Sequence, residues 1–233
     1  MNSTSANPLK LIQHIQTPCV MTPYLYAGLT DTLGAEHLKR YRPYRIGGNR
    51  KAAIIETGIG APYVADAVLN LGRECPLAIF VGSCGALSLQ GELQVGSIVS
   101  LNQIAANESL ASVLQKGLTA DRLVRSDTSW QKNLFTLKPE IAAVRGASLP
   151  SITLEESWQD WLLKNDIKVV DLESAAFLSA AAHKKIPALV ILYVTDIIGE
   201  DDPYDRPSDQ KIQAVRKGQE MITGILQDLL ALV

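Results

Sequence analysis

Two carboxylates at the ends of apolar runs are the residues of this chain best placed for chemistry. Glu173 follows Val169-Val170-Asp171-Leu172, and Asp196 closes the run Ala188 to Val194 (ALVILYV) through Thr195. An acid at the carboxyl end of a buried strand stands where open α/β sheets bind ligands. Both side chains could face one crevice. The competing reading is local: an acid just after a strand often caps the next helix. That reading weighs equally for Asp171 and less for Asp196, which Ile197 and Ile198 follow.

The stretch Val169 to Asp196 explains how the acids are positioned. It reads as strand, acidic turn, alanine-rich helix (Ala175 to Ala182) and strand, or half of a β-α-β unit. The last strand has almost no polar residue, as expected of a parallel strand covered on both faces.

Two glycine-bracketed junctions add candidates. Lys51 to Thr57 (KAAIIET) reads as a buried strand, and Gly58-Ile59-Gly60-Ala61-Pro62 leads from it into a helix over Tyr63 to Leu71. Glycines there let a ligand approach the backbone and present amides at a helix N-terminus. Leu77 to Val81 reads as a strand that runs into Gly82-Ser83-Cys84-Gly85. This second junction is expected to be a turn forming a nest of N–H groups with Ser83 as hydroxyl donor, or a tight turn in which Gly85 takes a positive φ. Neither junction carries the three-glycine dinucleotide fingerprint or the G-x-S-x-G nucleophile elbow. Cys84 has no histidine near it in sequence and reads as a small buried residue.

Composition narrows the class. With 233 residues, 47% of them hydrophobic and 20% charged, the chain suits one α/β domain over 1–233 with a loose terminus over 1–16. A net charge of −2 leaves no electrostatic footprint for nucleic acid, so a small-molecule ligand is the expectation. No apolar run has the roughly 18 to 20 residues of a membrane span, and the first residues lack a secretory pattern, so no membrane contact and a cytoplasmic location are expected. Three cysteines and three histidines without ligand spacing predict no disulfide, no metal and no cofactor.

Elsewhere the pattern is plainer. Val20 to Leu29 is expected to hold a strand, Asp31 to Arg40 a short helix, Val95 to Leu101 and Ile141 to Ala147 strands, and 102–138 loops and short helices. Arg42 and Arg45 read as a solvated basic face or as anion-binding side chains. Thr153 and Glu156 are spaced as a capping box. Gly199 to Ser208 is an acidic, proline-containing loop placed to act as a lid, and Gln210 to Val233 is a long amphipathic helix.

In order along the chain, TGIGAP, VGSCGAL and VVDLESAA followed by VTD resemble the nucleoside phosphorylase and nucleosidase superfamily over roughly residues 50 to 200. That family includes purine nucleoside and uridine phosphorylases and methylthioadenosine/adenosylhomocysteine nucleosidases. The resemblance implies an α/β fold, a three-layer α-β-α sandwich around a mixed, partly barrel-like sheet. It also implies cleavage of a nucleoside N-glycosidic bond, purine nucleosides first, and a dimeric or hexameric homo-oligomer. Carried over by motif, Glu173 would hold the ribose hydroxyls, with Leu172 beneath the sugar, and Asp196 would be the catalytic acid that protonates or hydrogen-bonds purine N7 as the base leaves. Gly58, Gly82 and Ser83 would form the anion or water loops, and Thr153 and Glu156 would stand near the aglycone, which one of the glutamates of Thr153-Leu154-Glu155-Glu156 could contact. Phosphate is the implied co-substrate of the phosphorylase branch. Yet Phe80 occupies the place of one phosphate-binding arginine, and Ala27-Gly28-Leu29-Thr30-Asp31 lacks another. Without bidentate guanidiniums, hydrolysis is favoured over phosphorolysis. The nucleosidase branch needs a water-activating acid, for which Asp31, Glu36 and Glu56 are unsupported candidates. A nucleoside-binding protein without catalysis is the alternative.

Overall fold

The computed structural model describes residues 7–26, 28–33, 38–87, 92–201 and 205–233. Its strands are β1 Cys19–Thr22, β2 Lys39–Tyr41, β3 Tyr44–Gly48, β4 Ala53–Glu56, β5 Ala78–Ala86, β6 Ile98–Ala106, β7 Leu123–Arg125, β8 Ala142–Ser148, β9 Val169–Asp171 and β10 Ala188–Ile197. The helices are α1 Pro8–Ile12, α2 Leu29–Thr32, α3 Ala61–Leu69, α4 Leu110–Lys116, α5 Thr128–Leu137, α6 Gln159–Lys164, α7 Ser174–Lys184 and α8 Asp209–Leu230.

The apolar run of β5 lies at the centre of the sheet. One edge pairs with β10 along its whole length, in parallel. The other edge is shared: β1 takes Ala78 to Phe80 in parallel, and β9 takes Gly85 and Ala86 in the opposite direction. Strands β10, β6, β8, β9 and β5 thereby close on themselves, while β1, β4, β3 and β2 continue outward as a wing. Residues of β5 alternate between two cores, as a period of two requires. Ala78 and Phe80 face Phe177 of α7 and Val64 of α3, whereas Ile79 and Val81 face Ile222 and Leu226 of α8. The result is a mixed, partly closed sheet between helical layers. Among the described residues no helix is long and apolar enough to cross a membrane.

Several expectations change. The segment Gly82 to Gly85 is neither a turn nor a nest of amides; it is the continuation of β5, held straight by its ladder to β10. The unit β9-α7-β10 is not a parallel crossover, because β9 and β10 flank β5 in opposite directions. The first strand ends at Thr22, directly before the Pro23 expected to interrupt it. Of the stretch expected to be helical, Asp31 to Arg40, only Asp31 and Thr32 are seen in helix, within α2; Lys39 and Arg40 belong to β2, where pairing with β3 overrides helix propensity. Residues 34–37 lie outside the described set. Strand β6 runs on to Ala106, into the region expected to be loops, because β8 and the short β7 pair with its far half. Of the expected lid, residues 202–204 lie outside the described set.

Candidate active site

The split edge of β5 creates the site. Between the last residue paired with β1 and the first paired with β9, the stretch Val81 to Cys84 has no strand on that side among the described residues. The chain leaving β1 and the chain leaving β9 diverge there, as at the switch point of an open sheet. The crevice between them is lined by Pro23 and Tyr24 on one bank and Val170 to Glu173 on the other, with Ser83, Cys84 and Gly85 below.

Asp196 reaches this crevice through an irregularity in β10. Register with β5 slips between Val194 and Asp196, which makes Thr195 the extra residue of a β-bulge. Thr195 and Asp196 consequently both line the crevice instead of pointing to opposite faces. The Thr195 hydroxyl lies 2.7 Å from Asp196 Oδ1 and 3.2 Å from the Cys84 carbonyl, so it can donate to either acceptor. Gly85 makes room: a Cβ there would lie 2.9 Å from Asp196 Oδ2. Its glycine is thus explained by close approach, not by a positive φ. Asp196 sits inside the strand and caps no helix. Downstream, Asp201 accepts a hydrogen bond from the Ile197 amide at 2.8 Å and pairs with Lys211 of α8 at 3.3 Å, tying the end of β10 to that helix.

Glu173 and Asp171 arrive from β9 with different roles. Asp171 accepts from the Ser174 amide at 2.8 Å, from the Ser174 hydroxyl and from the Ser148 hydroxyl at 2.5 Å. Ser148 in turn accepts from the Ala175 amide at 2.9 Å. Together they satisfy the first amides of α7, which is the capping role. Glu173 is buried, and its Oε1 accepts from the Gly60 amide at 2.6 Å. Gly60 reaches that orientation with φ +117°, a region open to glycine. The first glycine junction therefore binds a carboxyl of the chain's own, and its Gly60 amide is occupied. Burial, reinforced by the Asp171 charge, pushes the Glu173 carboxyl up to about 8, against the Gly60 hydrogen bond. Burial also raises Asp171 above the ordinary carboxylate range, while its serine donors pull the other way.

A fourth acid was not singled out by the capping-box spacing. Residues Ile152–Leu154 and Glu156–Trp158 form two 3-10 turns, with Ser151, not Thr153, at the first N-terminus. In a 3-10 turn residues three apart eclipse one another. Ile152 and Glu155 accordingly share the face that lines the crevice, whereas Thr153 and Glu156 are exposed and do not line it. Gln159 holds this segment against the end of β10 by a 3.4 Å bond to the Ile198 carbonyl. Glu155 is only 8% exposed, and burial, followed by the charges of Asp196 and Asp171, pushes its carboxyl up to about 8.

The remaining sequence candidates divide as follows. Leu172 and Ser83 line the crevice; Gly58 and Gly82 do not. Cys84 lies on the floor, but burial raises its thiol well above the ordinary value and its Sγ is 3.6 Å from the Tyr193 carbonyl, so it is a packed thiol. Phe80 is fully buried, its ring 5.4 Å from that of Phe177, and fills the core beneath α7. Arg45 pairs with Glu56 at 3.0 Å, and Glu56 also accepts from the Leu25 amide; neither lines the crevice. Asp31 is exposed and Glu36 lies outside the described residues. Among the described residues the crevice lining holds four acids and no lysine or arginine. Past Asp196 it opens into a wider hollow of about 470 Å³ toward α8, where Lys211 and Arg216 stand.

A closed five-stranded sheet with an outer wing, and a crevice at the split edge of its central strand, is the phosphorylase-like α/β fold. The chain belongs to the phosphorylase superfamily, whose family model matches residues 30–231. The fold is shared with 5′-methylthioadenosine/S-adenosylhomocysteine nucleosidase from Campylobacter jejuni, at a TM-score of 0.73 and 12% identity over 93% of this chain and 99% of that one. Uridine phosphorylase from Vibrio fischeri ES114 matches at 0.73 and 18% identity over 100% of both chains. A futalosine hydrolase mutant of Helicobacter pylori strain 26695 matches at 0.72 and 13% identity over 94% of this chain and 100% of that one. No curated protein matches the chain by sequence.

Proposed function

We propose that this protein cleaves the N-glycosidic bond of a nucleoside, purine nucleosides first, by hydrolysis. The observation that carries the reading is that Glu173 and Asp196, from strands running in opposite directions, line one crevice. Cleavage builds positive charge on the sugar and negative charge on the departing base. Glu173, at the narrow end, is placed to accept from ribose hydroxyls with Leu172 beside it. Asp196, at the opening into the wider hollow, is placed to meet the base. Ser83 and Thr195 add hydroxyl groups along the floor.

The choice of hydrolysis rests on the missing guanidiniums. Among the described residues the crevice lining offers a phosphate dianion no lysine or arginine, and Phe80 offers it nothing. Water needs no such partner. Relatives with this fold include proteins named as nucleosidases, a hydrolase and a phosphorylase, so both outcomes occur on the fold.

The test is base release from purine and pyrimidine nucleosides followed by chromatography, with Asp196→Asn and Glu173→Gln alongside. Asp196→Asn should lose on the order of 10² to 10⁴ in kcat. Glu173→Gln should lose both affinity and rate. Full activity in Asp196→Asn would remove the assigned role. One observation favours a second reading, a nucleoside-binding protein without turnover: neither Asp31 nor Glu56 reaches the crevice to activate water. Calorimetric nucleoside binding with no base release from any substrate would select it.

A further inference from the structure

Of the four carboxyls on the crevice, three have a hydrogen-bond donor within the chain. Asp171 has the hydroxyls of Ser148 and Ser174, Glu173 the Gly60 amide, and Asp196 the Thr195 hydroxyl. Among the described residues no donor reaches the Glu155 carboxyl, although it is 8% exposed and lines the same crevice. Its carboxyl is therefore open to a ligand in the crevice and not engaged by a donor of the chain. The backbone around it is nonetheless firm: the Glu155 amide donates to Ile152 at 3.0 Å, the Trp158 amide donates to Glu155 at 3.2 Å, and Gln159 fastens the turn to β10. The side chain is therefore held at the crevice by its own turn.

We propose that Glu155 is a second acid of this site, which delivers the proton to the departing aglycone while Asp196 holds that aglycone by hydrogen bonding. The inference rests on the nucleosidase reading and adds a residue to it. Its chemistry balances without a further reactant. The C1′–N bond breaks with its electron pair going to the base nitrogen, and the Glu155 carboxyl proton passes to the base. Water forms the new C1′–O bond, and the proton it loses returns through solvent to the Glu155 carboxylate. Adjacent acids whose environments differ divide such labour readily, one carrying the proton and the other accepting hydrogen bonds. Burial and the charges of Asp196 and Asp171 keep the Glu155 proton in place at neutral pH, which is the condition for donating it. This role also assigns work to a glutamate that an apolar aglycone pocket would not need.

The test uses leaving groups of different quality. Glu155→Gln keeps the shape and removes the transferable proton; Glu155→Asp keeps an acid on a shorter stem. Each is assayed with a purine nucleoside and with 4-nitrophenyl β-riboside, whose phenolate leaves without protonation; if the wild-type protein does not accept the latter, the N7-methylated purine nucleoside replaces it. Thermal melting checks that each variant is folded. Glu155→Gln is expected to lose on the order of 10² in kcat on the purine nucleoside and less than about fivefold on the activated substrate. Glu155→Asp is expected to retain more activity than Gln on the purine nucleoside. Equal losses on both substrates, or no loss on either, would overturn the role of Glu155 and leave the nucleosidase reading standing. A wild-type protein that cleaves none of these substrates would overturn both.

Discussion

A methyl group at Gly85 is a small way to move Asp196 without altering its chemistry. The Cβ of Gly85→Ala would lie 2.9 Å from Asp196 Oδ2 and 3.0 Å and 3.2 Å from Ile198 Cγ1 and Cδ1. Ordinary contact begins at 3.4 Å, so the carboxylate must retreat by roughly 0.5 Å. The colliding atoms belong to side chains, and Gly85 lies in regular strand, so folding should cost only about 1 kcal/mol. The rate should suffer more. A displacement of about 1 Å at a reacting group costs on the order of 10²-fold, so half of that should cost about tenfold in kcat. The Thr195 hydroxyl, now 2.7 Å from Asp196 Oδ1, limits how the carboxylate can evade the methyl by rotating. The assay is initial-rate base release together with a thermal melt. A folded Gly85→Ala protein with wild-type kcat would refute the claim that the position of Asp196 over Gly85 matters.

Glu155 in the native chain keeps its proton up to about 8, against 4.5 for an ordinary glutamate, so the native state binds more protons than the unfolded state between those values and stability falls as pH rises through that window. At ~1.4 kcal/mol per unit, and discounted for water in the crevice, Glu155→Gln should remove roughly 2 kcal/mol of the loss between pH 5 and pH 8 in urea titrations, and parallel wild-type and mutant curves would contradict this. Ser148→Ala strips a donor from Asp171 and leaves the Ala175 amide without its acceptor, which should cost about 1 to 3 kcal/mol in chemical denaturation; an unchanged midpoint would count against the capping role. Asp201→Ala should free the end of β10 from α8 and lower stability by about 1 to 2 kcal/mol, with faster amide exchange at Ile197 as the local readout; protection at Ile197 equal to wild type would show the contact to be idle.

Much of the framework was legible because it is written in hydrophobic pattern. The apolar runs Ala188 to Val194 and Leu77 to Val81 announce buried strands, and the alanine-rich run after Glu173 announces its helix. The crevice-lining positions of Glu173, Asp196, Ser83 and Leu172 followed from strand ends and motif resemblance. What pattern cannot carry is direction and pairing. Nothing in Val169-Val170-Asp171 says that β9 runs against β5, yet that reversal brings Glu173 opposite Asp196. Gly82-Ser83-Cys84-Gly85 reads as a turn because glycines usually mark turns, whereas here Gly85 serves a carboxylate that lies far away in sequence. Glu155 and Glu156 are adjacent, and only the phase of a 3-10 turn decides which of them faces inward. Ile152 with Glu155 and Thr153 with Glu156 have the same spacing of three, so the sequence offers both glutamates and spacing alone cannot choose between them.

The central claim is hydrolysis at a crevice whose described lining is acidic. It is met most directly by incubating the wild-type protein with a purine nucleoside, with and without inorganic phosphate, and identifying the sugar product. The account predicts free base and free ribose at the same rate in both. Ribose 1-phosphate as the product, or release that requires phosphate, would contradict it.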